Sequence, residues 1–276
     1  MFCRLTSLPV DTAPDEVLGR FFDLLDDAYG KDDAGKRRAK MQARSVQVGF
    51  PEFDGLYVDA VPARQHGDGR TWEIPLKDPT PDVKWQQTNP DQLTKLTSAA
   101  NDESGGLYIP AVKLLRQTRR RLLGRSRPGG LLIELAAYTA YANGWVIGKN
   151  QADYYASALA GAARAVDEHV RLGFLLPDPT LPGQTVQTVQ VRATDTQWET
   201  ARKRLLDAGG AAVEAKESDD RCKAAKTFRD LLGGNDDHDF VFDTPDGCND
   251  DGTRVASARP IVVGDRHVAA GNRRFG

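Results

Sequence analysis

Asp59 stands in the middle of the run Leu56–Val61, between Val58 and Ala60, where an aspartate is out of character for a strand. Alternation puts it on the face of Tyr57 and Val61 and predicts that it is shielded from water. An unpaired buried carboxylate costs on the order of several kcal/mol, so a cation must meet it. Two readings stay open: a salt bridge to Arg64 or to a helix arginine, or a metal-bound carboxylate, one of a set holding Mg²⁺ for phosphoryl transfer. Basic residues gather in two runs. Lys36, Arg37, Arg38, Lys40 and Arg44 come early, and Lys113, Arg116, Arg119, Arg120, Arg121, Arg125 and Arg127 follow one another with no acid between them. Each run is either a solvated face or a phosphate-binding one. Acids collect late, around Asp219, Asp236, Asp237, Asp239, Asp250 and Asp251.

The other chemistry-bearing residue types are unpatterned. Cys3, Cys222 and Cys248 are odd in number and far apart, which predicts reduced structural thiols and no disulfide framework. His66, His169, His238 and His267 never pair at i, i+4, so a hydrolytic zinc site is not expected. No phosphate loop, dinucleotide fingerprint or serine nucleophile elbow is present. Chemistry in this chain therefore falls to carboxylates and bases.

The elements that position these residues can be read from periodicity. Cys3–Ser7 reads as a short strand ended by Pro9. Thr12, Pro14, Asp15 and Glu16 open a helix whose apolar positions Val17, Leu18, Phe21, Leu24, Leu25 and Ala28 recur to a stop at Gly30. Val46, Val48 and Phe50 alternate with polar residues, and the turn Pro51–Gly55 leads into Leu56–Val61, an antiparallel hairpin ended by Pro62. Residues 64–101 are polar and proline-rich and read as a long ordered loop with at most short elements, with Trp72 and Trp85 as its packing anchors. Helices are expected from Tyr108, over Leu131–Asn143 (buried on all sides), from Asn150 or Gln151 to Leu172, over about Asp195–Lys216 and over Asp220–Leu232. Glu134, on the buried helix, is expected to be a structural acid paired with a neighbouring base. From residue 245 glycine, aspartate and arginine dominate, with Pro260–Val263 as a possible strand in a partly flexible tail.

The 276 residues, 40% hydrophobic and 28% charged, suit one large or two ordinary folded domains and exclude wholesale disorder. Thirty-seven basic against 39 acidic residues leave a net charge of −2, which argues against a general nucleic-acid coat protein. No apolar run approaches a membrane span, and the amino end lacks the pattern of a secretory signal, so a cytoplasmic protein is expected.

The segments VDAVPAR, TWEIP, WQQTNPDQL, IPAVKLLRQTRRRL and LLIELAAY resemble, in order and spacing, the cGAS/DncV-like nucleotidyltransferases of bacteria, the CD-NTases, relatives of oligoadenylate synthetase. The resemblance runs from about residue 3 to 242, and VDAVPA with WQQTNP carries most of it. It implies that Asp59 is the third catalytic aspartate and a metal ligand. It also implies that Arg116, or Lys113 one turn earlier, meets the triphosphate, and that Mg²⁺ or Mn²⁺ is the cofactor. Phe228, Arg229 and Gly233 fit the family's closing helix. The sequence departs from the family at Thr118, where a tryptophan is usual, and at Gly130, where a serine is common. The G-S and D-x-D elements expected ahead of CRLTSLP are missing, since Met1 and Phe2 occupy the end of that strand.

The implied fold is α+β, with a nucleotidyltransferase-like mixed sheet over residues 1–107, a helical lobe over 108–244 and a tail over 245–276. The implied activity joins nucleoside triphosphates into a cyclic or linear oligonucleotide signal for antiphage defence, and without the two missing aspartates this chain is expected to be inactive. The alternative is a non-catalytic module holding nucleotide or RNA on the Lys113–Arg127 ridge. A conjugation partner at the end formed by Phe275 and Gly276 is a further expectation, and no membrane partner is expected.

Overall fold

The structure is a computed structural model that describes residues 1–6, 8, 9, 11–77, 84–174, 176–181, 193–234 and 239–255. The chain divides into two compact units, Met1–Ile109 with Leu175–Gln187, and Pro110–Phe174 with Thr188–Gly276.

The first unit is built on a six-stranded sheet. Strands β2 (Ala39–Met41), β3 (Val46–Phe50), β4 (Leu56–Gln65), β5 (Trp72–Pro75) and β6 (Trp85–Thr88) are neighbours in that order. All of these pairings are antiparallel, while β1 (Phe2–Arg4) runs parallel to β4, so the sheet is mixed as expected. Helix α1 (Pro14–Tyr29) begins with proline at its first positions and acids in its first turn, and ends at Gly30, whose φ of 59° a side chain would resist. Its apolar stripe covers one sheet face, where Leu25 packs with Ala39, Val46, Val48 and Ala60, and with Phe21, Phe22, Phe50 and Cys3 at the margin. The alternation in β3 and β4 is the cause, because it sends every second side chain to that face.

Two expectations about the sheet are corrected. Pro62 does not end β4, which continues to Gln65. The ladder to β1 uses the carbonyls of Asp59 and Ala63 and the N–H of Val61, so Pro62 has no donor to supply there. Residues 64–101 also hold more than short elements. They contain β5, β6 and the helix α2 (Pro90–Glu103), which starts where the Asn89 side chain accepts from the Gln92 N–H and Pro90 fixes the first turn. That helix has few apolar positions, so periodicity did not announce it.

The second unit is helical: α3 (Tyr108–Leu123), α4 (Gly130–Ala142), α5 (Gln151–Leu172), α6 (Asp195–Glu217) and α7 (Arg221–Leu232). Helix α4 is apolar nearly all round and buries Leu132, Ile133, Leu135, Ala136, Ala137 and Ala140. Small residues let α5 approach its neighbours. A Cβ on Gly161 would lie 2.7 Å from that of Ala140, and one on Gly209 of α6 would lie 3.0 Å from the Ala160 Cα.

The expectation of reduced thiols is overturned for two cysteines. Cys222 and Cys248 form a disulfide, with Cα atoms 5.3 Å apart, while Cys3 is free. Their sequence separation of 26 residues gave no spacing signal, and only the return of the chain over α7 brings them together. The same return places Asp250 against the buried Arg229 at 2.7 Å. Arg229 also donates to Thr244 and lies over Phe240, with its carbon 4.1 Å from the ring centre. Pro260–Val263, His267 and the ending Phe275–Gly276 lie outside the described residues.

Candidate nucleotide site

Asp59 sits on β4, opposite Gln47 of β3, on the sheet face that α1 leaves uncovered. Its neighbours along that face are Tyr57, 59% exposed, and Val61, half-buried, so Asp59 is less shielded than expected. Its Oδ1 accepts a hydrogen bond from Gln42 Nε2 at 3.2 Å, and its backbone carbonyl accepts from the amino group of Met1 at 2.6 Å. Gln42 is held in the β2–β3 turn, where its N–H donates to the Ser45 carbonyl and its Oε1 accepts from Ser45 Oγ at 3.3 Å. Ser45 thereby orients the amide so that its NH₂ group faces the carboxylate. Nothing in the sequence pattern of residues 39–50 singled out Gln42, because its role comes from a turn that swings it across two strands.

No cationic side chain meets the Asp59 carboxylate among the described residues. Arg64, offered as its partner, instead pairs with Glu73 at 2.7 Å, its cross-strand neighbour on β5, and its guanidinium lies 3.9 Å from the centre of the Trp85 ring. Trp72 takes Phe2 edge-on at 6.2 Å and Arg4 at 5.8 Å. Both tryptophans are thus fixed by cationic and aromatic neighbours within the sheet. A carboxylate on this face whose side-chain partner is an amide is suited to a bound cation. Among the described residues, however, no three His, Cys, Asp or Glu side chains converge to hold a metal ion. Asp59 fits as a single ligand, and the described residues do not fit a two-ion site, which needs several carboxylates shared with substrate phosphates.

Lys113 and Arg116 lie one turn apart on α3, in the other unit from Asp59. Lys113 is exposed, while Arg116 NH1 lies 3.1 Å from Glu134 Oε1 on α4. Glu134 is therefore the paired structural acid expected of it. Burial pushes its carboxyl up from the ordinary range, and Arg116 opposes that rise. Gly130 packs beside this pair, since a Cβ there would stand 3.8 Å from Arg116 Nε, in ordinary van der Waals contact. The basic run on α3 is not a uniform ridge. Arg119 donates to the carbonyls of Gly124 at 2.9 Å, of Pro128 at 2.9 and 3.0 Å, and of Ser126, and so holds the 124–128 turn together. Thr118, which departs from the family pattern, is fully buried and shares a 2.6 Å hydrogen bond with the Tyr155 hydroxyl. Burial pushes that phenol up to about 12, with Thr118 opposing. Phe228 stacks near Tyr155 and Phe242 at 6.0 and 5.8 Å, so the closing-helix residues Phe228 and Arg229 act in packing.

No protein-family model matches the sequence, and no curated protein sequence matches it either. Solved structures do match. The Bradyrhizobium diazoefficiens CD-NTase CdnG in complex with GTP superposes with a TM-score of 0.61 at 16% identity, over 83% of this chain and 75% of that one. CdnC of E. coli MS115-1 with ATP gives 0.58 at 20% identity, over 84% and 75%. Escherichia coli DncV bound to 3'-deoxy GTP gives 0.57 at 11% identity, over 84% and 61%. The fold is therefore the α+β nucleotidyltransferase-like fold of these proteins. No described helix is long and apolar enough to cross a membrane.

Proposed function

We propose that this chain is a nucleotidyltransferase of the CD-NTase type, built to join nucleoside triphosphates into a cyclic or linear oligonucleotide messenger in antiphage defence. The observation that carries this reading is the position of Asp59. The VDAVPA strand, read from the sequence as the bearer of a catalytic aspartate, is the strand that pairs with β1, β3 and β5. Its aspartate is turned to the open face with an amide as its side-chain partner. The neighbours of the same fold that were solved with GTP or ATP favour a nucleoside triphosphate as the ligand.

In the proposed reaction a ribose hydroxyl of one nucleotide attacks the α-phosphorus of another. A phosphodiester bond forms, the bond to the β-phosphate oxygen breaks, and pyrophosphate and a proton are released. Asp59 would supply one anionic ligand to a Mg²⁺ or Mn²⁺ ion, which would contribute charge stabilisation in such a transfer. Arg116 and Lys113 are assigned to the triphosphate. Arg116 is half-committed to Glu134, so its grip is a planar fork already oriented on one side by a carboxylate.

Since the described residues bring no further carboxylates to Asp59, we propose that these 276 residues bind nucleotide without turning it over. Losing even about 5 kcal/mol of charge stabilisation lowers a rate roughly 10³- to 10⁴-fold. Calorimetry with ATP and GTP in Mg²⁺ and a pyrophosphate-release assay with all four ribonucleotides test both statements. The expected result is metal-dependent binding, lost in Asp59→Asn, with no pyrophosphate released. Robust release abolished by Asp59→Asn would overturn the inactivity, and metal-dependent binding indifferent to Asp59→Asn would overturn the site.

A further inference from the structure

Beside Asp59, within the first unit, the uncovered sheet face opens into a hollow of about 350 Å³ whose wall includes Lys36, Arg37, Arg38, Lys40, Gly49 and Tyr57. Its charge is not incidental to a floppy loop. The segment from Lys31 to Arg37 closes on itself in an antiparallel bridge, turned by Gly35 at φ 76°. Asp32, the acid on this wall, holds that turn by accepting from the N–H groups of Ala34 at 3.0 Å and Lys36 at 2.8 Å. Two of the cations are structural. Arg38 donates to Glu52 at 2.8 Å and to the Gly49 carbonyl at 3.3 Å, and Arg37 lies 3.4 Å from Asp26. Lys36 and Lys40 are exposed and have no acidic partner among the described residues.

Register relates this hollow to Asp59. Lys40 pairs with Gln47, and Gln47 pairs with Asp59, so the three side chains share one face. Lys40 and Asp59 are two strands apart, about 10 Å. Tyr57 is two residues along from Asp59 on that same face, and its cross-strand partner is Gly49, which has no side chain to cover the ring. A preformed groove with unpaired cations and an exposed aromatic ring is the combination that holds single-stranded nucleic acid, cations on phosphates and a base stacked on the ring. The chain's net charge of −2 confines such binding to a local site.

We infer that this hollow binds a short single-stranded oligonucleotide, with Lys36 and Lys40 on its phosphates and a base stacked on Tyr57, along the face that leads to Asp59. The inference deepens the nucleotidyltransferase reading and rests on it for the choice of an oligonucleotide over other phosphorylated ligands.

The test is fluorescence anisotropy of a labelled ribotetranucleotide with the full 276-residue chain over a salt series, with ATP and inorganic phosphate as competitors. Lys36→Gln with Lys40→Gln should weaken binding at least tenfold at low salt. It should also flatten the slope of log affinity against log salt by about 1.4, the share of two phosphate contacts to a single strand. Tyr57→Ala should weaken binding at least fivefold, as loss of a stacking platform does. Gly49→Val fills the hollow without removing a charge. The nearest atom to a Cβ there is the Arg38 carbonyl oxygen at 3.9 Å, so the first side-chain carbon meets no clash. It should weaken binding tenfold with an unchanged thermal melt. Lys216→Gln, at an exposed lysine of α6 in the second unit, should leave tetranucleotide binding as it was. Binding that survives all three hollow variants, or that ATP or phosphate displaces as well as unlabelled tetranucleotide does, overturns the proposal. Tetranucleotide binding through the hollow in a protein that binds no ATP would support this site and sink the nucleotidyltransferase reading. ATP binding without tetranucleotide binding would do the reverse.

Discussion

At the scale of single residues, the structure separates two acids that look alike in the sequence as carboxylates set in apolar elements. Asp59 has a side-chain amide as its partner, and Glu134 has a guanidinium. Asp59→Asn should therefore change unfolding free energy by less than about 1 kcal/mol, because no buried arginine is stranded by it. Urea denaturation checks this, and a loss of about 3 kcal/mol or more would show a hidden ion pair. For Glu134, burial raises the folded-state pKa above the unfolded value. The folded state then holds the proton more tightly, so stability from this group is greatest at low pH and falls as pH rises from the unfolded towards the folded pKa. Arg116→Gln removes the opposing charge, so the Glu134 carboxyl should titrate higher still and the loss should extend to higher pH. Carboxyl carbon NMR across the titration reads it directly, and an unmoved Glu134 would mean that the pair does not act.

At the scale of elements, helix packing turns on glycines that periodicity treats as interchangeable. Gly161 on α5 faces Ala140 so closely that a Cβ would have to displace α4, whereas Gly210 on α6 has nothing within 4 Å of the same position. Gly161→Ala should destabilise by about 1–3 kcal/mol through overpacking. Gly210→Ala should stabilise by roughly 0.5–1 kcal/mol through helix propensity and reduced freedom of the unfolded chain. Paired thermal melts would show shifts of opposite sign, and shifts of like sign would contradict the close approach of α4 and α5. The elements differ in the same way in how well they can be read. Helix α5 is bounded by Asn150 and Gly173, which cap it from their own local chemistry, and its limits follow from the sequence. Helix α2 also has a good cap in Asn89 and Pro90, but buries little besides Ala100, so the apolar pattern that marks other helices is missing.

At the scale of the whole molecule, the Cys222–Cys248 disulfide ties the segment after α7 back onto that helix, together with the Arg229–Asp250 pair. Asp250 is held below the usual carboxylate range, first by Thr244 and then by Arg229. Closing a loop of 26 residues constrains the unfolded chain by about 3.5 kcal/mol in the chain-entropy account. Cys222→Ser with Cys248→Ser, or reductant on the native protein, should lower unfolding free energy by that order. Calorimetry with and without dithiothreitol would show it as a lower melting temperature, and identical melts would mean that the bridge contributes nothing.

The sequence by itself determined what depends on neighbours in the chain. The β3–β4 hairpin follows from alternation, the long helices from their apolar stripes and caps, and the strand position of Asp59 from the VDAVPA run, because each is set by contacts a few residues apart. Tertiary structure decided everything that needs two distant segments to meet. Arg64 went to Glu73 because the β4–β5 register puts them opposite, and Asp59 was left to Gln42 because a tight turn swings that amide across the sheet. Cys222 met Cys248 because the chain folds back over α7, and Lys36 with Lys40 came to share a wall with Tyr57 because β2 pairs beyond β3. Such partners are fixed by register and by the return path of the chain, neither of which leaves a mark in local spacing.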